Sequence, residues 1–407
     1  MRVAVVSCVF PPEPVVSSRT SFDVAREMSA RGHQVTVVAP FPSRPAGRLR
    51  KGFHRRLFTR EQAAAGFSVI RCFSFLSPRS LLVSRLAENM SFGITSALAL
   101  AFTPRPDVIY ANTWPIFAGA MTAFVASLRR VPLVISVQDL YPESLTSQRR
   151  PLTGAIARPL LALDRWIVRR ASAVVAISER FAEHYRRTRS VDPSRIHVVA
   201  NWLSADGTDE NAEAAQACRH RHSVPSETFL LVYAGNVGAS AAVDSVIEAI
   251  GATEGVHLLI AGEGAALDQC RQLAADVAPD RIHFESPWTD TMGVLHAADV
   301  VVLPTSGQQS TTSVPSKLIS YLLAARPVLA VAENNSDIAV TIHNSGSGMT
   351  VSPHNLRTLT DGIEEMIRLA DEERRRMGQA GRAWALAHAT TEVCLPRLVD
   401  IIEGLGR

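Results

Sequence analysis

Lysine is almost missing from this chain of 407 residues: Lys51 and Lys317 stand alone among 42 basic residues. Cysteine is scarce too. Cys8, Cys72, Cys218, Cys270 and Cys394 are odd in number, widely spaced and contain no Cys-x-x-Cys pair. That pattern argues against a disulfide framework and against a zinc site. His220 and His222 sit near Cys218, but no second Cys/His group lies at ligand spacing, so residues 204–228 read as a polar, Ala-rich linker. Long apolar runs are lacking. The uncharged stretches 89–103 and 113–128 are too short and too polar to span a bilayer. The amino terminus has only a brief apolar run, 3–6, before Pro11 and Pro12, unlike a secretory signal. The expected compartment is the cytoplasm, with the inner membrane face within reach.

What is present is an ordinary globular composition, 47% hydrophobic and 20% charged, long enough for two or three domains. The net charge of +4 conceals a split. Residues 1–200 hold 28 basic and 12 acidic side chains; the remainder holds 42 − 28 = 14 and 38 − 12 = 26. The first half is therefore +16 and the second −12. Opposite signs suggest two domains with different partners, the basic one suited to an anionic surface.

Short β-rich runs alternate with helical patterns in both halves. Residues 3–6, 33–39, 67–73, 107–111, 133–137, 173–177 and 196–200 read as strands of the first. Residues 229–233, 257–261, 282–284, 300–303 and 327–331 read as strands of the second. Residues 44–60 read as a basic loop and 81–102 as an apolar helix. This is an α/β class of two doubly wound parallel sheets in tandem. In such sheets ligands bind beyond the carboxyl ends of the strands.

Those ends carry the candidate motifs. Gly235, Asn236, Val237 and Gly238 follow a strand and precede a helix, which fits either a ligand loop or a tight turn. Gly262 and Glu263 repeat the arrangement one strand on. Pro315, Ser316, Lys317 and Leu318 open an apolar helix, with Ser316 placed as a cap. A lone lysine at a helix start opposes the dipole, so an anionic partner gives it a reason. In the first half the strand-end loops carry Glu13, Ser17, Ser18, Arg19 and Trp114, with Arg19 equally readable as a helix-surface residue. Asp139, directly after strand 133–137, points toward acid–base work or a helix cap.

The order F-P-P-E-P, A-R-G-H-Q-V-T-V-V-A, Q-D-L-Y-P-E-S, V-V-A-N-W, Y-A-G-N-V-G and P-S-K-L-I-S-Y-L-L-A-A-R-P-V resembles family-4 retaining glycosyltransferases of the GT-B fold, in their bacterial surface-polysaccharide (fucosyl and acetylfucosamine) branch. The resemblance implies two Rossmann-like domains facing a cleft. Residues 1–203 would bind a glycan or polyprenyl-linked acceptor, and 204–383 the nucleotide sugar. The terminal helix, about 384–407, would pack back on the first domain. Gly235, Asn236, Val237 and Gly238 would line the donor phosphates, Gly262 and Glu263 flank the nucleotide, and Trp288 meet the base. Ser316, Lys317 and Leu318 would hold the distal phosphate, with Lys317 and Asp139 as the catalytic pair. Glu13, Ser17, Ser18, Arg19 and Trp114 would face the acceptor. No metal or other cofactor and no nucleic acid is implied. Apart from the resemblance, the basic run Arg44, Arg48, Arg50, Lys51, Arg55, Arg56 and Arg60, with the apolar residues 81–102, reads as a face for an anionic membrane surface; 81–102 reads equally as buried core.

The departures are specific. Two glutamates eight positions apart in many members fall at Thr312 and Ser320, a histidine at Gln138, and an Arg/Lys pair within 239–242. A catalytically silent nucleotide-sugar-binding subunit, or a nucleotide-sugar 2-epimerase, are the alternatives.

Overall fold

In the computed structural model the described residues are all except 14–15, 45, 79–81, 113–115, 144–153, 239–240, 307–309, 311–314 and 407, and the side chains of 16, 82 and 154–156. Trp114 and Thr312 lie outside the described residues, as does Ala239. The chain divides into two compact units, Met1–Asn201 with Cys394–Arg407, and Trp202–Val393.

The first unit is built on β1 (Arg2–Ser7), β2 (Gln34–Pro40), β3 (Phe58–Gln62), β4 (Ser68–Cys72), β5 (Val108–Asn112), β6 (Leu133–Val137), β7 (Ala173–Ala176) and β8 (Ile196–Val198). Their order is β3-β4-β2-β1-β5-β6-β7-β8. All pairs are parallel except β3 with β4. Every residue of β5, β6 and β7 is buried, because helices cover both faces and leave no solvated side to alternate toward. The edge strand β3 alternates between exposed and half-buried instead. It was invisible in the sequence because its charged residues, Arg60 and Glu61, belong to a sheet edge and blunt it against pairing. Residues 44–60 are thus not wholly loop.

The second unit contains β9 (Phe229–Ala234), β10 (Val256–Ala261), β11 (Ile282–Glu285), β12 (Val300–Pro304), β13 (Val328–Val331) and β14 (Gly348–Val351). They form an all-parallel sheet in the order β11-β10-β9-β12-β13-β14. Alternate residues of β9 feed two cores. Leu230 and Val232 pack with Leu259 and Leu322 on one face, Leu231 and Tyr233 with Ile260 and Val302 on the other.

Both orders reverse direction once, between β1 and β5 and between β9 and β12. At such a switch point the loops leaving neighbouring strands diverge and open a crevice at the carboxyl edge. The motifs above lie at these two edges.

Two boundary expectations change. Residues 204–228 are not a solvated linker: Ala212–Arg221 is a helix capped by Asn211, and its Cys218 is fully buried in the second unit's core. The carboxy-terminal amphipathic stretch is two helices. Asp371–His388 lies in the second unit, whereas Thr391–Gly406 places Leu395, Leu398 and Ile402 in buried positions of the first. There Asp400 and Glu403 meet Arg31 at 2.7 and 3.4 Å, and Glu403 meets His33 at 2.9 Å.

Candidate functional site

At the second unit's switch point, β9 and β10 run past their ends side by side. Gly235 donates its amide to Ala261 at 2.8 Å, and Val237 to the Glu263 carbonyl at 2.8 Å. Gly262 has φ +158, and a Cβ there would stand 1.9 Å from the Gly235 carbonyl oxygen. The first reason for this glycine is therefore close approach of two backbones, which neither a ligand loop nor a tight turn anticipates. We expect Gly262→Ala to cost about 1–3 kcal/mol, the usual penalty for overpacking, read as a lower Tm for the second unit.

Gly235 has a different reason. Its missing Cβ would lie 2.2 Å from Cε of Lys317, so the lysine stem crosses the bare α-carbon. The Lys317 ammonium then donates to the Tyr233 hydroxyl, lies 4.5 Å from that ring's centroid, and reaches the Asn236 carbonyl at 3.5 Å. Tyr233 in turn donates to the same carbonyl at 2.6 Å, and burial pushes its own pKa up, which keeps it protonated. Among the described residues no carboxylate pairs with Lys317, and burial lowers its pKa to about 8. A half-buried cation over an aromatic face, facing only neutral oxygens, lacks the counter-charge that burial demands.

The helix Lys317–Leu323 is fastened to β9 by Tyr321, whose hydroxyl donates to the Ala234 carbonyl and accepts its amide, both at 2.9 Å. Neither tyrosine was singled out in the sequence. Tyr233 looked like one apolar strand residue among several, and Tyr321 like helix core.

Several expectations are corrected here. Ser316 is no side-chain cap: its backbone is already helical and its hydroxyl makes no capping bond. That helix has seven residues, so its dipole is a weaker lever than Lys317 itself. Leu318 and Val237 are buried, and only their main chains could meet a ligand. Asn236 and Glu263 are exposed. Trp288, half-buried beside Gly262, donates from Nε1 to Thr291 at 2.8 Å. Ser320 donates its hydroxyl back to the Lys317 carbonyl at 2.8 Å.

The fold also assembles what spacing along the chain did not. Cys218 and His222 from the helix end and Glu285 from β11 bring one donor atom each within 4.8 Å of one another. His222 and Glu285 already meet at 2.8 Å. These three are the described residues most able to hold a divalent ion, and they lie away from Lys317 in the sheet order, at the β11 edge.

In the first unit, Ser7, Ser21 and Asn112 knit the ends of β1 and β5 to the helix Val16–Ala30, with Ser7 to Ser21 at 2.8 Å and Asn112 Nδ2 to Ser21 at 3.0 Å. Ser17 lends only its carbonyl to this cluster, accepting from Ser21 at 3.1 Å. The buried Ser18 hydroxyl has no hydrogen-bond partner among the described residues. Glu13 is otherwise engaged than expected: Oε1 accepts from the amides of Ser43 and Arg44 at 2.8 and 3.0 Å and holds the loop after β2. Arg19 is a helix-surface residue, largely exposed and 3.7 Å from Asp23.

Asp139 lines a pocket at the end of β6 with Ile116, Gln138, Tyr141, Asp164 and Tyr185. Behind it lies a residue that sequence reading missed, the fully buried Arg189. Its guanidinium donates to Glu143 at 2.6 and 2.8 Å, to Asp164 at 2.8 Å and to the Tyr141 carbonyl at 2.6 Å. Burial is the largest influence on both carboxyls, yet the outcomes differ. The bidentate arginine and His184 take Glu143 well below the usual range, whereas Asp164 stays raised. One planar fork thus pins the loop that carries Asp139.

Two α/β units, each with a crevice at the switch point of its sheet, define a doubly wound two-unit fold class, and comparison with known proteins gives the family. Residues 17–202 match the glycosyl transferase 4-like domain, and 228–368 the glycosyl transferases group 1 domain. The chain is 21% identical over 380 residues to a putative colanic acid biosynthesis glycosyl transferase of Escherichia coli, WcaI, covering 91% of this chain and 93% of that one. It is 26% identical over 322 residues to the probable glycosyltransferase WbjE of Pseudomonas aeruginosa, covering 73% and 76%. Its fold matches that of HepE from Anabaena, solved with UDP, at a TM-score of 0.73 and 15% identity over 99% of this chain and 100% of that one. The protein belongs to the glycosyltransferases of the GT-B fold.

Proposed function

We propose that this glycosyltransferase moves a hexosyl group from a nucleotide sugar to a hydroxyl of a polysaccharide repeat or lipid-linked glycan, with retention and without a metal. The observation that carries the reading is Lys317, a cation with no carboxylate partner among the described residues, held over Gly235 at the β9/β12 switch point. A diphosphate supplies the missing counter-charge. Its relatives WcaI and WbjE carry names from glycan chemistry, and HepE was solved with UDP. In the transfer the bond from the anomeric carbon to the phosphate oxygen breaks, and a bond to the acceptor oxygen forms on the same face. The acceptor proton passes to the departing phosphate or to Asp139. Lys317 stabilises charge on the leaving group, where it develops, with the loop Gly235–Asn236–Val237–Gly238 directly beside it and Gly262, Glu263 and Trp288 toward the nucleotide. Ser17 and Ser18, on the helix that follows β1, remain on the acceptor side.

A panel of UDP-, GDP- and dTDP-sugars with glycan and polyprenyl-phosphate acceptors tests this. Acceptor-dependent nucleotide release that survives EDTA, with the donor's anomeric configuration kept in the product, is the expected result. Binding without release would favour a silent donor-binding subunit, a reading supported by Ser320, where the family's glutamate is replaced and the hydroxyl is turned back onto Lys317. Asp139→Asn is expected to leave nucleoside-diphosphate affinity unchanged and slow acceptor-dependent release about 10²–10⁴-fold if Asp139 is the base. Unchanged turnover would assign the proton to the phosphate.

A further inference from the structure

Exposed apolar side chains are concentrated in one part of the molecule. Of the fourteen large hydrophobic residues exposed among those described, eleven lie between Leu57 and Leu128. Six of them, Val83, Leu86, Met90, Ile94, Leu98 and Phe102, occur about once per turn along the helix Leu82–Phe102. Val83 is 78% and Phe102 86% exposed. The spacing keeps them on one side of the helix. Its other side is occupied, with Phe92 and Leu100 buried and Gly93 close against the backbone of Phe117 and Ala118. Phe124 and Leu128, on the helix Ile116–Arg129, add to the exposed apolar area.

This stripe adjoins a cationic segment. Thr95 donates to the Phe73 carbonyl at 2.7 Å, and the Phe73 amide donates to Leu57 at 2.9 Å, so the helix abuts the start of β3. Just before and within β3 stand the exposed Arg48, Arg50, Lys51, Arg55, Arg56 and Arg60. Leu57 and Phe58, also exposed, lie among them. The acids nearby are neutralised: Glu61 pairs with Arg71 at 3.3 Å, and Glu88, the helix's one acid, with Arg44 at 3.0 Å and Arg85 at 2.8 Å.

We infer that the helix Leu82–Phe102 lies in the plane of an anionic bilayer, its apolar stripe among the acyl chains and the 48–60 segment among the headgroups. An apolar stripe flanked by cations is the arrangement that interfacial helices use. No described helix is long and apolar enough to cross a membrane, which leaves lying on the surface as the available mode. A second copy is a poorer occupant. A two-fold interface would set the same cationic segment against itself, whereas a lipid surface supplies the opposite charge. The inference builds on the lipid-linked acceptor of the proposed reaction, and its test is independent of turnover.

Co-sedimentation with vesicles of phosphatidylcholine alone and of phosphatidylcholine with phosphatidylglycerol tests it. Binding is expected only with the anionic lipid, falling at least tenfold as salt rises from low to several hundred millimolar. The double variant Ile94→Ser/Phe102→Ser should lose at least tenfold in binding at low salt. Arg55→Ser/Arg56→Ser should weaken binding and flatten its salt dependence. Both should keep the wild-type Tm and nucleoside-diphosphate affinity, since none of these side chains is buried. Equal binding to both lipids, wild-type binding by the variants, or no vesicle binding at all would overturn the inference. So would a dimer in sedimentation velocity that Ile94→Ser dissociates. Vesicle binding by a chain that turns over no nucleotide sugar would leave this inference standing and sink the transferase reading alone.

Discussion

Lys317→Ala weakens nucleoside-diphosphate binding by roughly ten- to a hundredfold, the range for losing a charge-assisted bond worth about 1.5–3 kcal/mol, and lowers nucleotide release at least as much. The ammonium touches neutral oxygens and an aromatic face, so its removal leaves no buried anion behind. The pH dependence follows from its pKa of about 8, lowered by burial. A bound phosphate favours the charged form, so binding takes up a proton, and affinity falls as pH rises through about 8 in the wild type. Lys317→Ala removes that fall. Stability runs the other way. Between about 8 and the ordinary lysine value of 10.5, the folded protein binds fewer protons than the unfolded chain, so this residue makes stability rise with pH across that window. Lys317→Met should accordingly raise Tm at pH 7 while abolishing the phosphate contact. Isothermal titration with UDP, GDP and dTDP from pH 6.5 to 9.5, and melting curves over the same range, check both signs. Wild-type affinity in Lys317→Ala would sink the phosphate assignment.

Arg189→Leu has the largest expected effect on stability. The guanidinium is fully buried, and its loss leaves the nearly buried Asp164 without its cation and Glu143, partly exposed, with His184 alone. Removing one partner of a buried ionic group costs about 3–5 kcal/mol, a drop of roughly 10 °C for a unit of this size. Arg189→Lys should recover little, because one ammonium cannot fork to two carboxylates and the Tyr141 carbonyl together. The damage should be local. The melting transition of the first unit moves, while nucleoside-diphosphate binding at Lys317, in the second unit, holds. If both transitions fall together, or neither does, the network is not what secures the Asp139 loop.

How much of this was readable in advance depends on the range of the signal. The buried parallel strands were legible because helices cover both their faces, so Val108–Asn112 and Leu133–Val137 are unbroken apolar runs. Edge strands with no buried residue carry no such signal: Phe58–Gln62 and Gly348–Val351 were missed, whereas the edges Ile196–Val198 and Ile282–Glu285, each with a buried isoleucine, were read. The helix Ala212–Arg221 was mistaken for a linker because it buries one residue, Cys218, and is polar elsewhere. At the site, Lys317 stood out by rarity. Its partner Tyr233 lies 84 positions away, and nothing local distinguishes it from its apolar neighbours.

By itself the sequence determined the class of fold and the strand ends where chemistry belongs. Both follow from short-range pattern, since periodicity, glycine and an isolated lysine are local properties of the chain. Tertiary structure decided what those residues touch. It set Gly262 against the Gly235 carbonyl, drew Glu13 onto the Ser43 and Arg44 amides, and gathered Glu143, Asp164 and Arg189 from three segments. It also decided that one side of the helix Leu82–Phe102 stays uncovered, where its composition alone read equally as core. The reason is the same in each case. Burial and pairing are relations between segments distant along the chain, and only packing brings those segments together.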